Sequence, residues 1–268
     1  MINRVALATI AAFALVFPAA GTRLSAQGAR AGAPPPQGPP PTAQASAPVD
    51  LTGYWVSIVN EDWRWRMVTP PKGDFPGLPL NAEGQRVANA WDPAMDGSCL
   101  AYGAAGLLRM PGRIHITWDN DNTLKLETDA GVQTRRLVFG PPPAGLGASP
   151  SLQGYSRAEW ERAGRGAGGR GRAGGGVVGP GAGSAGGNLK VVTTDLSGGW
   201  VRKNGVPYSD RTTLTEYFDR FAAPGGDEWL VVTTVVTDPR YWNGDFITSS
   251  HFRKERDGSR WDPSPCRN

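Results

Sequence analysis

The chain has 268 residues, with 28 basic and 24 acidic side chains, two cysteines and ten tryptophans. Its net charge of +4 comes from two biased segments: residues 1–49 and 162–188 hold three and four arginines and no acid, and the rest carries 21 basic against 24 acidic residues. A folded part of that sign has no electrostatic footprint for nucleic acid, and two cysteines with two histidines make a poor zinc set.

In chain order, Arg4 followed by the apolar run Val5–Phe17, with Leu24-Ser25-Ala26 before Gln27, has signal-peptide anatomy. Residues 1–26 are therefore read as a cleavable signal and the protein as exported, periplasmic or secreted. No later run reaches the roughly 20 apolar residues of a membrane span. Residues 27–49 are Pro, Ala and Gly with almost no large apolar side chain, so a disordered spacer is expected there, with one folded domain over 50–268. Within that domain, residues 162–188 hold 13 of the 37 glycines and four arginines. This stretch reads as a disordered Gly/Arg-rich loop insertion between two strands.

From Gly53 onward, runs rich in β-branched and aromatic residues predict strands near 53–60, 63–68, 113–118, 123–128, 132–139, 151–160, 189–195, 212–221, 228–237 and 246–255. Tight turns are expected at Asp119–Asn122, Asp129–Gly131 and Pro224–Asp227. One short helix is expected at 81–90, with Asn81 as its cap. The fold class is all-β: an antiparallel meander of about eight to ten strands forming a closed or nearly closed barrel. Cys99 and Cys266 in an oxidising compartment predict one disulfide closing a very long loop.

Gly53-Tyr54-Trp55 at the start of the first strand resembles the G-x-W motif of the lipocalins and their calycin relatives. Arg253 falls on the final strand, where those barrels carry an arginine that packs on the motif's tryptophan. The segments Glu61–Arg66, Gly154-Tyr155-Ser156, Gly205–Asp210 and Thr215–Phe218 resemble a large group of uncharacterised exported bacterial proteins. The resemblance implies a lipocalin-like barrel and assigns no activity.

Period-2 alternation places Glu216 between Leu214 and Phe218 on one strand face, where a carboxylate is desolvated. It acts there either as an acid–base group or as the partner of a buried arginine such as Arg135. Glu61–Asp74 concentrates carboxylates, tryptophans and basic residues. Read as a strand, it puts Trp63, Trp65 and Met67 on one face and Arg64 and Arg66 on the other. The first functional expectation is a barrel binding a small, partly apolar molecule, with Trp55, Trp63, Trp65 and Phe218 supplying area and Arg66, Arg135, Glu216 and His251 supplying orientation. The alternative is a small-molecule acid–base enzyme of hydrolase, isomerase or dehydratase type, using Glu216 or Asp62 with His115 or His251. A third reading is an envelope structural or interaction module. No metal or cofactor is expected.

Overall fold

The computed structural model describes residues 38–141, 149–162 and 187–268. The expected signal peptide, the start of the spacer and nearly all of the Gly/Arg-rich insertion lie outside the described residues. Nine strands make the body: β1 (Gly53–Ile58), β2 (Arg113–Asn120), β3 (Thr123–Thr128), β4 (Thr134–Phe139), β5 (Tyr155–Arg162), β6 (Gly187–Thr194), β7 (Thr213–Ala222), β8 (Glu228–Thr237) and β9 (Phe246–Glu255). Each pairs with its neighbours in sequence, and β9 returns to β1, so the meander closes into a barrel. The ladders are antiparallel except β4–β5, which is parallel and corrects the wholly antiparallel expectation. Phe139, the last residue of β4, is paired with Ala158 of β5.

The stretch expected as a strand at 63–68 is instead a single helical turn, α1 (Trp63–Arg66), entered through Asp62 with a left-handed φ of 52°. The expected helix is α2 (Ala82–Asn89), and the Asn81 side chain accepts a hydrogen bond from Gly84 N at 2.8 Å. Gly84 is where α2 meets the loop after β8. A Cβ there would lie 2.3 Å from the carbonyl oxygen of Tyr241, so a side chain would push the helix off. A further turn, α3 (Ala104–Leu107), is buried throughout.

The two barrel ends differ. The upper end receives residues 59–112, 195–212 and 238–245, which carry all three helices and a short antiparallel ladder of Gly199–Arg202 with Val206–Tyr208. These loops form a cap with its own apolar core, including Leu80, Trp242 and Phe246. Asp238 ties two of them together, accepting from Ser209 N (2.5 Å), Ser209 Oγ (2.9 Å), Thr212 Oγ1 (3.1 Å) and Arg240 N (2.8 Å).

The lower end is closed by residues 41–52. Ala43 N donates to Asn122 Oδ1, Trp160 Nε1 donates to Ala43 O, and Trp118, Phe139 and Trp160 pack as an aromatic group beside them. Residues 41–49, expected within the disordered spacer, are thus part of this closure. Their small side chains let the backbone lie close enough to hydrogen-bond with the barrel rim.

Trp55 is fully buried and donates its indole N–H to Leu51 O at 3.0 Å. The cation over its ring is Lys254, 5.2 Å from the centroid, and not Arg253. Phe246, Thr248, Ser250 and Phe252 are the buried positions of β9, so parity turns Lys254 inward and leaves Arg253 half-exposed beside Asp227.

After β9 the chain returns to the upper end. Ser264–Pro265 pairs with Ala130–Gly131, and Cys266 is disulfide-bonded to Cys99 in the cap, 167 positions away in sequence. Closing so long a loop restricts the unfolded chain and contributes about 3–5 kcal/mol. Replacing Cys99 and Cys266 with serine should lower the unfolding free energy by that amount in urea titrations, with the barrel's far-UV circular dichroism retained.

Candidate functional site

Two buried arginine systems lie on the barrel's upper half, and they differ in how their charge is met. The first spans the barrel interior. Arg135 (β4) and Glu216 (β7) form a bidentate pair, with Nη1–Oε1 at 3.0 Å and Nη2–Oε2 at 2.6 Å, and both are no more than 1% exposed. Arg135 Nη2 also donates to Thr193 Oγ1 at 3.2 Å, and Ser156 and Thr193 share a hydrogen bond of 2.7 Å. With Thr234, Thr248 and Ser250 these groups make a polar layer that divides the barrel's apolar contents. Leu214, Val236 and Phe246 lie above it, and Phe218, Val232 and Phe252 lie below.

Phe218 and Trp55 are accordingly lower core, fully buried, and not walls of an open cavity. Glu216 and Arg135 are held by one another and closed in by core residues, as the pairing alternative requires.

The second system sits at the upper mouth. Helical periodicity puts Asp62 and Arg66 on one side of α1 and Trp63 and Met67 on the other. Arg66 is therefore buried, 2% exposed, while Trp63 is 65% exposed. This corrects the strand reading, which had Trp63 as a ligand wall with Trp65 and Met67 and put Arg66 on the opposite strand face. Arg66 Nε donates to Arg109 O at 2.8 Å. Arg109 Nη2 in turn meets Asp62 Oδ2 at 2.9 Å, and its Nη1 donates to Thr248 Oγ1. Arg202 lies with its guanidinium carbon 4.8 Å from the Trp65 ring centroid, a cation–π contact.

Trp65, Arg66, Arg109 and Arg202, with Met110, Val201 and Lys203, surround a narrow cleft with room for about one water molecule. Within it, Arg66 Nη1 and Nη2, Arg202 Nε and Nη1, and Trp65 Nε1 are buried donors without a hydrogen-bond partner. Burial, reinforced by the neighbouring Arg109 charge, lowers the Arg66 and Arg202 guanidinium pKa values to about 10. Both remain cationic at neutral pH.

Arg109 and Arg202 were not singled out from the sequence. A lone charge inside the apolar run Leu107-Leu108-Arg109-Met110 was the available sign for the first. Arg202 is placed by the cap fold and left no local pattern.

The histidines do not join either system. His115 is on the outer wall of β2, stacked on Tyr54 at a centroid distance of 3.9 Å and 3.6 Å from Glu127. His251 is on the outer face of β9, with Nδ1 2.7 Å from Asn60 Oδ1 and Nε2 3.9 Å from Glu61. The expectation that His251 orients an interior ligand is thus corrected: the parity that turns Ser250 and Phe252 inward turns it outward. Neither Glu216 nor Asp62 is hydrogen-bonded to a histidine among the described residues. No group of three or more His, Cys, Asp or Glu among them is close enough to hold a metal ion.

No helix of the described residues is long and apolar enough to cross a membrane. No protein-family model matches the chain, and neither a curated protein nor a solved structure matches it.

Two predictions follow from these placements. Glu216→Ala leaves Arg135 buried and uncompensated and should cost about 3–5 kcal/mol. Replacing the pair together, as Arg135→Met with Glu216→Leu, should restore most of that loss in the same denaturant titrations. Burial, stronger than the attraction of Glu127, holds the His115 pKa below its ordinary 6.5. The unfolded chain then binds more protons below about pH 6.5, so His115 should reduce stability as pH falls through that value towards its folded pKa. An NMR titration should place the folded pKa below 6.5, and His115→Phe should flatten the stability profile in this window.

Proposed function

We propose that this protein is an exported, lipocalin-like carrier that binds a small, partly apolar molecule at the upper mouth of its barrel. The observation that carries the reading is an open groove of about 340 Å³ at the upper end, which shares Met110 and Lys203 with the wall of the arginine-lined cleft. The groove sets the thioethers of Met67 and Met110 and the ring of Tyr102 beside the charged groups of Arg113, Asp129, Lys203 and Asp262. That combination, a few fixed polar groups beside apolar lining, is what small-molecule sites use. Methionine walls also adapt to irregular ligand shapes. The central interior is filled by the Arg135–Glu216 layer and the apolar residues on either side, which leaves the mouth as the seat. Export rests on the leader's residue pattern and agrees with the Cys99–Cys266 disulfide.

Titration with 8-anilinonaphthalene-1-sulfonate, an apolar anion, followed by NMR, tests the location. The Trp65 indole N–H and the Met67 and Met110 methyl signals should shift together and saturate with one affinity. Shifts confined to the lower end around Trp118, or no saturable shift, would place the reading in error.

A further inference from the structure

The chain has five lysines, at positions 72, 125, 190, 203 and 254. Three are met by carboxylates: Lys125 by Glu127 at 3.1 Å, Lys190 by Glu159 at 3.3 Å and Lys254 by Glu228 at 3.2 Å. Lys72 is exposed and solvated. Lys203 is the exception. It is partly buried, yet among the described residues nothing accepts a hydrogen bond from its ammonium and no carboxylate lies within 4 Å of it. Its chain neighbours fix it in place: Arg202 is packed on the Trp65 ring, and the buried Asn204 donates to Pro71 O at 3.0 Å and Asp74 O at 3.2 Å. Lys203 so placed lines the open groove of about 340 Å³ together with Met67, Tyr102 and Met110.

A charge partly withdrawn from water without a counter-ion is disfavoured, and a lysine, unlike an arginine, can respond by giving up its proton. Burial, only partly offset by the attraction of Asp96, holds the Lys203 pKa below the ordinary lysine value. A larger share of it is then the neutral amine, which is the nucleophilic form.

Resting on the carrier reading above, we infer that the Lys203 amine anchors an aromatic or other apolar aldehyde in this groove as a reversible Schiff base. The Nζ lone pair forms the new bond to the carbonyl carbon. Both Nζ hydrogens leave with the carbonyl oxygen as water, C=N replaces C=O, and nothing is oxidised or reduced. The ligand's body lies over Met67, Met110 and the Tyr102 ring, where thioether–aromatic contacts hold it. Water reverses the step, which lets a carrier release what it holds.

The test is reaction of the full chain at pH 8 with benzaldehyde and sodium cyanoborohydride, which reduces an imine to a stable secondary amine. Peptide mass mapping then follows all five lysines. Lys203 should be labelled at least about fivefold faster than Lys72, and the ion-paired lysines more slowly still. Its labelling should saturate with benzaldehyde, whereas that of Lys72 rises in proportion to concentration. Acetaldehyde, which has no apolar body, should label Lys203 without saturation. Lys203→Arg keeps the charge and cannot form an imine, so the saturable adduct should vanish while Lys72 labelling and far-UV circular dichroism are unchanged. Lys203 labelled no faster than Lys72 by benzaldehyde overturns the anchor. If the 8-anilinonaphthalene-1-sulfonate shifts at Met67 and Met110 still saturate, the groove reading survives that result. Labelling that favours Lys203 equally with benzaldehyde and acetaldehyde, without saturation, overturns the apolar ligand class, and the groove reading falls with it.

Discussion

A ring of hydrogen-bonded strands cannot alternate direction all the way round if it contains an odd number of them. Nine strands therefore require one parallel pair, and β4–β5 is that pair. The rest of the architecture depends on this parity. It sets which loops meet at the upper end, because every strand after the parallel pair is reversed relative to an unbroken alternation. The excursions 59–112, 195–212 and 238–245 consequently converge on one rim and build the cap, and the mouth site is assembled from the first two of them and the rim of β9.

The cap and the barrel meet their buried charges in opposite ways. Within the barrel, Arg135 and Glu216 neutralise one another across strands that are far apart in sequence, and hydroxyls from β5 and β6 accept further hydrogen bonds from Arg135 Nη2. Such a pair adds little net stability over an apolar replacement, but it fixes which strands face each other. At the mouth, Arg109 is neutralised and used as a strut, its carbonyl holding Arg66 and its guanidinium holding Asp62. The two arginines around it, Arg66 and Arg202, have buried guanidinium nitrogens without a hydrogen-bond partner and no carboxylate within ion-pair distance among the described residues.

Much of the barrel is legible in the sequence because strand periodicity is local. The alternation of Leu214, Glu216 and Phe218, and of Ile114 and Ile116 against His115, reads correctly from the residues alone. Two failures have physical causes. Trp63–Arg66 has the apolar–charged alternation of a strand, yet Asp62 turns the backbone left-handed and starts a helical turn, which exchanges the environments of Trp63 and Arg66. His251 was grouped with the right neighbours, but alternation alone does not say which face is inside. Only the closed ring settles that, and it also moves the cation over Trp55 from Arg253 to Lys254. The mouth site was half visible, through Asp62, Trp65 and Arg66. Arg109 and Arg202 reach it from segments about 40 and 140 positions away in sequence, a distance no local pattern spans.

The Cys99–Cys266 bond joins the cap to the tail that follows the last strand. Mechanically, it makes the cap the point of attachment for the C-terminus. Tension on the final residues passes through Cys266 to Cys99 and into the 59–112 segment, bypassing β9. The last strand is thus relieved of loads on the chain's end, which the loops around the mouth feel first and pass on to β1 and β2.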